Sequence, residues 1–284
     1  MTKLPINQIL QGDALEILPT LPANSIHMVI TSPPYNAEQE YEEKLTQEQY
    51  KEFTRKWILE CVRVLVTGGR LAINICNTYR KPFRALNHMI GAICESIPSL
   101  LMREEFIWFK GFAAAAGMTA WGSWCSPTNP VSRGCHEYVL VYSKEDYHLD
   151  CSEFERSEEP KEHFLSNTMS LWEISPETSR KAKSNGDASP DQPSTKHPAP
   201  FPELLPYRLV EFYTAPGQII LDPFMGSGTT AVACLIQPQK RKFIGIEKRI
   251  DYIAIAKKRI YKVSNASLDD FFGGYKRLST TEGV

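Results

Sequence analysis

The sequence has no stretch near the roughly 20 consecutive apolar residues that a membrane helix needs. Its most apolar patch, Gly111 to Gly122, is short and rich in Gly and Ala. The opening MTKLPINQILQGD has no hydrophobic run followed by a small-residue cleavage site, so no signal peptide is expected and a cytoplasmic location is. The 7 cysteines are odd in number and include no CxxC pair. Neither a zinc site of the usual spacing nor a disulfide framework is supported, and reduced thiols with no metal are the expectation. Basic excess is missing too, since 32 Lys and Arg against 33 Asp and Glu leave a net charge of -1. That weighs against a nucleic-acid partner without excluding one, because positive charge can concentrate on one face. No internal repeat is visible.

What is present is an alternation of strand and helix signals. The 284 residues, 42% hydrophobic, suffice for one substantial core, or a core and a small module. Strands are expected at Ile6 to Leu10, Ile26 to Thr31, Leu71 to Ile75, Phe106 to Phe109, Glu137 to Tyr142, Ile219 to Leu221 and Phe243 to Ile246. Helices are expected at Thr46 to Leu65, Pro82 to Ile97, Leu204 to Thr214, from the glycine turn to about Leu235, and Asp251 to about Tyr261. Such alternation implies a largely parallel sheet covered by helices. Between Ser143 and Ser194 the chain turns polar and irregular, as either a solvated linker or an inserted recognition segment. The expected division is 1–142, 143–194 and 195–284, with the outer two forming one domain.

The segment Ile219 to Thr230, IILDPFMGSGTT, reads as a strand, a tight turn and a helix start. Gly226 and Gly228 let backbone approach a ligand, and Ser227, Thr229 and Thr230 place hydroxyls near free helix N–H groups, a good place for a carboxylate. A nicotinamide enzyme would use a similar turn, but the third glycine of GxGxxG is missing, since Ala231 follows the threonines. Asp222-Pro223 ends the strand. Glu247, ending the next one about twenty residues past the glycines, stands where an acid grips ribose hydroxyls.

Thr31-Ser32-Pro33-Pro34-Tyr35 ends another strand, which puts its polar atoms at the carboxyl edge of the sheet. The prolines fix a rigid bend without N–H groups. Taken alone, such a turn is usually only a turn. Its residue types nevertheless suit one chemistry. An exocyclic amino nitrogen of a base is a poor nucleophile because its lone pair is delocalised into the ring. Acceptors on its hydrogens, here Ser32 Oγ and the Pro33 carbonyl, favour a pyramidal and more reactive nitrogen. Tyr35 offers a stacking face for a base turned out of the duplex.

At this point the chain resembles a known family, the amino-group DNA methyltransferases of the permuted β type. In this family the catalytic motif precedes the cofactor-binding glycine motif. The resemblance is carried in order by QGDALEIL around Asp13, TSPPYN (Thr31 to Asn36), RVLVTGGRLAINI (Arg63 to Ile75), TAWGSW (Thr119 to Trp124), CHEYVLVYSK (Cys135 to Lys144), KHPAPFPELLPYRL (Lys196 to Leu209), DPFMGSGTT and FIGIEKRIDYIAIAKKRI. It implies a Rossmann-like α/β fold, circularly permuted, with a seven-stranded mixed sheet whose last strands form an antiparallel hairpin. It implies S-adenosyl-L-methionine as cofactor, bound by Asp13, Ala14, Thr31, Phe201, Asp222, Pro223, Phe224, Gly226, Ser227, Gly228, Thr229, Thr230, Glu247 and Lys248. Ser32, Pro33, Pro34 and Tyr35 become the catalytic set. Trp121, Ser123 and Arg133, with the basic cluster Arg180, Lys181 and Lys183, become the DNA contacts. The implied partners are duplex DNA with a short recognition site and a cognate restriction endonuclease, for a monomer or homodimer near a prokaryotic nucleoid.

Ser before Pro-Pro commonly accompanies N4-cytosine in this family, and Asp or Asn accompanies N6-adenine, so Ser32 favours cytosine with adenine as the alternative. Three other readings stand beside it: a protein-glutamine or RNA methyltransferase, a DNA-binding protein with an inactive cofactor site, and the nicotinamide oxidoreductase already disfavoured. The permuted order and the long segment before the closing motif count against the first. The intact set of acids and glycines counts against the second.

Overall fold

Strand β2 (Ile26–Thr31) buries side chains on both faces, with Met28 and Ile30 in one apolar cluster and Val29 in the other. A strand apolar on both sides belongs at the middle of a covered sheet. The computed structural model, which describes residues 4–36, 45–78, 83–112, 122–123, 125–176 and 201–265, places it there. The other strands are β1 (Gln8–Gln11), β3 (Leu65–Ile75), β4 (Leu100–Phe109), β5 (His136–Lys144), β6 (Leu171–Glu173), β7 (Ile219–Asp222) and β8 (Lys242–Glu247). Their order across the sheet is β1-β8-β7-β2-β3-β5-β4-β6. Every pairing is parallel except those of β5, which runs against both β3 and β4. The carboxyl ends of the parallel strands therefore share one edge with the amino end of β5.

Helices cover both faces. On one lie α1 (Ala14–Ile17), α2 (Gln47–Val64) and α3 (Leu86–Glu95), where Trp57, Cys61, Ile90 and Cys94 pack on Val29, Leu71 and Ile73. A capping box starts α2, with Thr46 Oγ1 accepting from Gln49 N at 3.2 Å and the Gln49 side chain accepting from Thr46 N at 2.9 Å. On the other face lie α5 (Leu204–Tyr213) and α6 (Thr229–Leu235), with Leu209, Val210 and Ala231 against Met28, Ile30 and Ala72. Helix α7 (Ile250–Asn265) packs on α6, and the short α4 (Lys161–Asn167) packs on α5.

Two details differ from the sequence expectation. Among the described residues the sheet has eight strands where seven were expected. The extra one, β6, comes from the polar 143–194 stretch and adds to β4 through Ile107, Trp108 and Phe109. Trp172 at its centre is 1% exposed and stacks on Phe106 with ring centroids 4.3 Å apart. Strand β3 begins at Leu65 and runs through Gly68-Gly69, where punctuation suggested a break. Ile26 pairs with Leu65 but Met28 with Arg70, so the glycines form a bulge inside the strand. Gly68 has φ +74°, and a Cβ there would clash with the His148 carbonyl oxygen. The expected antiparallel hairpin is present as the consecutive strands β4 and β5, with β5 set between β3 and β4.

Candidate active site

The glycine turn and the Pro-Pro turn leave adjacent strands, β7 and β2, where the connections diverge to opposite halves of the sheet. In open α/β sheets this is where ligands bind. One buried carboxylate joins the two turns. Asp222, 1% exposed, accepts from Thr31 Oγ1 at 2.9 Å, from Thr230 Oγ1 at 2.6 Å and from Phe224 N at 3.0 Å. Burial pushes its pKa up to about 6, against the pull of those three bonds.

On the next strand Glu247 engages the same turn. Its Oε2 accepts from Gly226 N at 2.8 Å and its Oε1 from Arg249 N at 2.8 Å. A carboxylate has about four lone-pair sites, so ribose hydroxyls can add to these bonds. Gly228 has φ +85°, and a Cβ there would lie 2.8 Å from that of Ala256, so its bareness serves packing on α7. Phe224 turns into the core against Trp57, with centroids 5.5 Å apart, and against Phe53. Beyond β1, Asp13 caps α1 by accepting from Leu15 N at 2.9 Å, and Lys248 Nζ lies 3.4 Å from its other oxygen. Ala14 and Pro223 are buried, and Phe201 packs on the second apolar cluster.

One cation here was not visible in the sequence. Arg259 of α7 donates through Nη1 to the Ser227 carbonyl (2.9 Å), Ser227 Oγ (2.9 Å) and Thr229 Oγ1 (3.1 Å). Its Nη2 donates to Glu203 Oε1 at 2.7 Å. The hydroxyls expected to face a ligand are thus already organised, Thr230 by Asp222 and the other two by Arg259. The periodicity of α7 marks Arg259 only as a helical residue. Its reach to the turn is tertiary.

The Pro-Pro turn is fixed from several sides. Tyr50 of α2 donates to the Pro34 carbonyl at 2.6 Å. Asn36, at φ 49°, holds Leu45 O through Nδ2 at 2.9 Å. Ser32 Oγ lies 2.9 Å from Tyr35 OH. Tyr35 OH in turn lies 3.3 Å from Glu137 Oε2, and Asn74 Nδ2 donates to that same carboxylate oxygen at 2.7 Å. Lys110 Nζ pairs with Glu137 Oε1. Burial, then the Glu137 charge, hold the Tyr35 hydroxyl well above its ordinary pKa, so it keeps its proton. Asn74 had a legible signal, a polar residue in the buried strand LAINI, as had Glu137 at the head of the apolar strand EYVLVY.

The expected DNA contacts are less gathered. Ser123 Oγ closes a local turn, donating to Ser126 O at 2.7 Å and accepting from Asn129 N at 3.0 Å, while Arg133 is exposed before β5. Trp121, Arg180, Lys181 and Lys183 lie outside the described residues. Among the described residues no group of His, Cys, Asp and Glu could hold a metal ion, and no helix is long and apolar enough to cross a membrane.

This arrangement has counterparts. The N6/N4 methyltransferase family model, described as DNA methylase, matches residues 26–258. The type II methyltransferase M.BglI of Bacillus subtilis is 30% identical, over 89% of this chain and 85% of its own length. M.ScaI of Streptomyces caespitosus, also a type II methyltransferase, is 29% identical over 88% and 79%. Among solved structures, TTHA0409 of Thermus thermophilus complexed with S-adenosyl-L-methionine superposes with TM-score 0.67 at 27% identity, covering 91% of this chain and 96% of that one. The cytosine-N4-specific PvuII DNA methyltransferase, 21% identical with TM-score 0.65 over 97% and 93%, shares the fold. With its glycine turn and Pro-Pro turn joined at the same sheet edge, the chain belongs to the N6/N4 family of DNA methylases.

Proposed function

We propose that this DNA methylase transfers the methyl group of S-adenosyl-L-methionine to the N4 amino group of cytosine in duplex DNA. The observation that carries the proposal is the hydroxyl of Ser32. It stands in a rigid Pro-Pro bend at the carboxyl edge, one residue from the Thr31–Asp222 bond to the glycine turn. Glu247 would hold the cofactor's ribose, Asp13 its adenine amino group, and the Gly226–Thr230 turn its carboxylate, so the methyl donor and the target meet at the ends of β7 and β2. When bound, the cofactor supplies an electrophilic methyl with a neutral thioether leaving group.

The protein's own part is positioning. Ser32 Oγ and the Pro33 carbonyl accept the amino hydrogens and favour a pyramidal nitrogen. Tyr35 stacks on the base after extrusion, which the reaction requires because the amino group is out of reach inside the duplex. A hydroxyl is shorter than a carboxylate and can accept an amino hydrogen, and Ser before Pro-Pro commonly accompanies N4-cytosine in this family. This favours cytosine, with adenine N6 as the second reading. No covalent nucleophile is needed. Recognition falls to the stretch 143–194, through Arg180, Lys181 and Lys183, and to Trp121, Ser123 and Arg133. Residues 1–142 and 195–284 supply the catalytic and cofactor halves. The likeness to type II methyltransferases supports a role in protecting prokaryotic DNA from a cognate restriction endonuclease, by a monomer or homodimer.

The test uses labelled S-adenosyl-L-methionine and unmethylated phage genomic DNA, digested afterwards to nucleosides. Label in N4-methyldeoxycytidine is the expected result. Label in N6-methyldeoxyadenosine overturns the base, and label in neither overturns the reaction. Ser32→Ala is expected to slow single-turnover transfer at least about tenfold, or roughly 1.4 kcal/mol of barrier, with cofactor affinity unchanged.

A further inference from the structure

Glu137 is an unusual residue to find beside the Pro-Pro turn. It is 7% exposed, it is the second residue of β5 just ahead of the run Tyr138 to Tyr142, and nothing in the reaction above uses it. It reaches the site because β5 runs against its neighbours, so the first residues of β5 lie where the other strands end. Charged side chains are seldom buried without a partner. Glu137 has three around it: Lys110 on Oε1, and Asn74 and Tyr35 on Oε2.

We propose that Glu137 is a positioning residue that sets the direction of the hydrogen bonds in the catalytic turn, so that Ser32 Oγ presents its lone pairs to the target amino group. The inference rests on the catalytic reading of Ser32 given above. A carboxylate paired with an ammonium group can only accept, so the bond at 3.3 Å must use the single proton of Tyr35. The phenolic oxygen is then left as an acceptor. With no proton of its own for the 2.9 Å contact to Ser32 Oγ, it takes the serine proton there. Asn74 Nδ2, 3.4 Å from the same phenolic oxygen, is a donor and favours the same polarity.

Ser32 therefore points its O–H back into the turn and keeps both lone pairs for an incoming N–H. An exocyclic amino group offers only hydrogens at this position, so the polarity matches it. With the opposite polarity, Tyr35 would donate to Ser32, and the phenolic oxygen would face Glu137 Oε2 with no proton between them. That contact is repulsive in a poorly solvated site. Glu137 touches neither base nor cofactor in this account. It acts through Tyr35 on Ser32.

The test is a double-variant cycle read by single-turnover methyl transfer to unmethylated phage genomic DNA, with cofactor affinity measured by calorimetry. Glu137→Gln supplies an amide that can donate where the carboxylate only accepts, so the direction is no longer fixed. It is expected to slow transfer about tenfold and to change cofactor affinity by less than about twofold. Tyr35→Phe cuts the chain at its middle and leaves the Glu137–Lys110 pair intact. It is expected to give a loss of the same order, and it carries the test if Glu137→Gln does not fold. In the Ser32→Ala background neither change is expected to slow transfer further, because no hydroxyl remains to be oriented. A merely structural role predicts losses that multiply in the double variants, together with lower cofactor affinity. Multiplying losses, or wild-type rates in both Glu137→Gln and Tyr35→Phe, overturn the proposal while leaving the catalytic reading of Ser32 in place. Wild-type transfer by Ser32→Ala overturns that reading first, and this inference with it.

Discussion

Thr31 and Asp222 lie 191 residues apart in the chain, and the hydroxyl of the first donates to the carboxylate of the second at 2.9 Å. Thr31 ends β2 and immediately precedes Ser32. Asp222 ends β7 and immediately precedes the glycine turn. A shift of either strand end would therefore be felt by both halves of the site. The bond also explains how a carboxylate can be buried here, since its cost is offset by three donors in fixed positions.

Asp222 gives a stability signature with a definite sign. Burial raises its pKa from 3.8 to about 6 in the folded protein, so between those values the folded state binds the proton and the unfolded state does not. This group's contribution to stability is full below about pH 4 and is lost as the pH rises through 6. Asp222→Asn cannot titrate. Relative to wild type, the variant is expected to gain on the order of 2–3 kcal/mol between pH 4 and 7. Urea unfolding of both proteins at each pH unit measures this. A difference that does not move with pH would show that Asp222 titrates as an ordinary carboxyl.

Trp172 gives a prediction for the eighth strand. It is buried against Phe106, and next to it Trp108 Nε1 donates to the Ile174 carbonyl at 2.7 Å, which fixes the register of β6 on β4. Trp172→Ala removes one of the largest buried side chains and is expected to cost about 3–5 kcal/mol. The glycine turn, proposed to hold the cofactor, leaves β7 across the sheet, beyond β3 and β2. Cofactor affinity at low temperature is therefore expected to stay within about twofold of wild type, since distant sites act independently. Differential scanning calorimetry and titration calorimetry test the two halves. A Tm within about 2 °C of wild type would mean that β6 is a loose appendage and not part of the core.

The extent of legibility follows from where each signal resides. β2 and α2 were legible to within a residue because periodicity and punctuation coincide at both ends, with Ser32-Pro33-Pro34 stopping the one and Thr46 capping the other. Gly68-Gly69 misled because glycine marks a bulge as readily as a break. The neighbour that decides between them, the His148 backbone, comes from far along the chain. β6 was hidden because three residues carry little pattern and a single Trp does not make a period. In the site, the motif residues were readable because turn chemistry and a strand end sit side by side in sequence. Lys110 and Arg259 were not, and Asn74 and Glu137 showed only as polar residues in apolar strands, with nothing to say that they meet at the site. Each lies in or beside a regular element, and only the antiparallel placement of β5 and the packing of α7 on α6 carry them to the sheet edge.

Arg259 separates cofactor binding from chemistry. Its guanidinium spans two segments that the sequence keeps apart, the glycine turn through Ser227 and Thr229, and the segment before α5 through Glu203. The fork is what allows this, because one planar group directs several N–H bonds outward at fixed angles. Lysine keeps the charge but concentrates it at one point, so Arg259→Lys can serve one segment and not both. Arg259→Ala removes the clamp on Ser227 and Thr229 and leaves Glu203 without this ion pair. Glu203→Gln keeps Arg259 on the turn and weakens only the far contact. Cofactor affinity is therefore expected to fall in the order wild type, Glu203→Gln, Arg259→Lys, Arg259→Ala. Charge-assisted bonds of about 1.5–3 kcal/mol place the last at least roughly tenfold below wild type. Because Arg259 makes no bond to Ser32 or Tyr35 in this network, single-turnover transfer at saturating cofactor should stay close to wild type in all three. Titration calorimetry gives the order and rapid-quench assays give the rates. If Arg259→Ala binds cofactor normally, the turn holds its shape without the clamp. If it binds normally but transfers slowly, Arg259 acts on the chemical step and its assignment here is wrong.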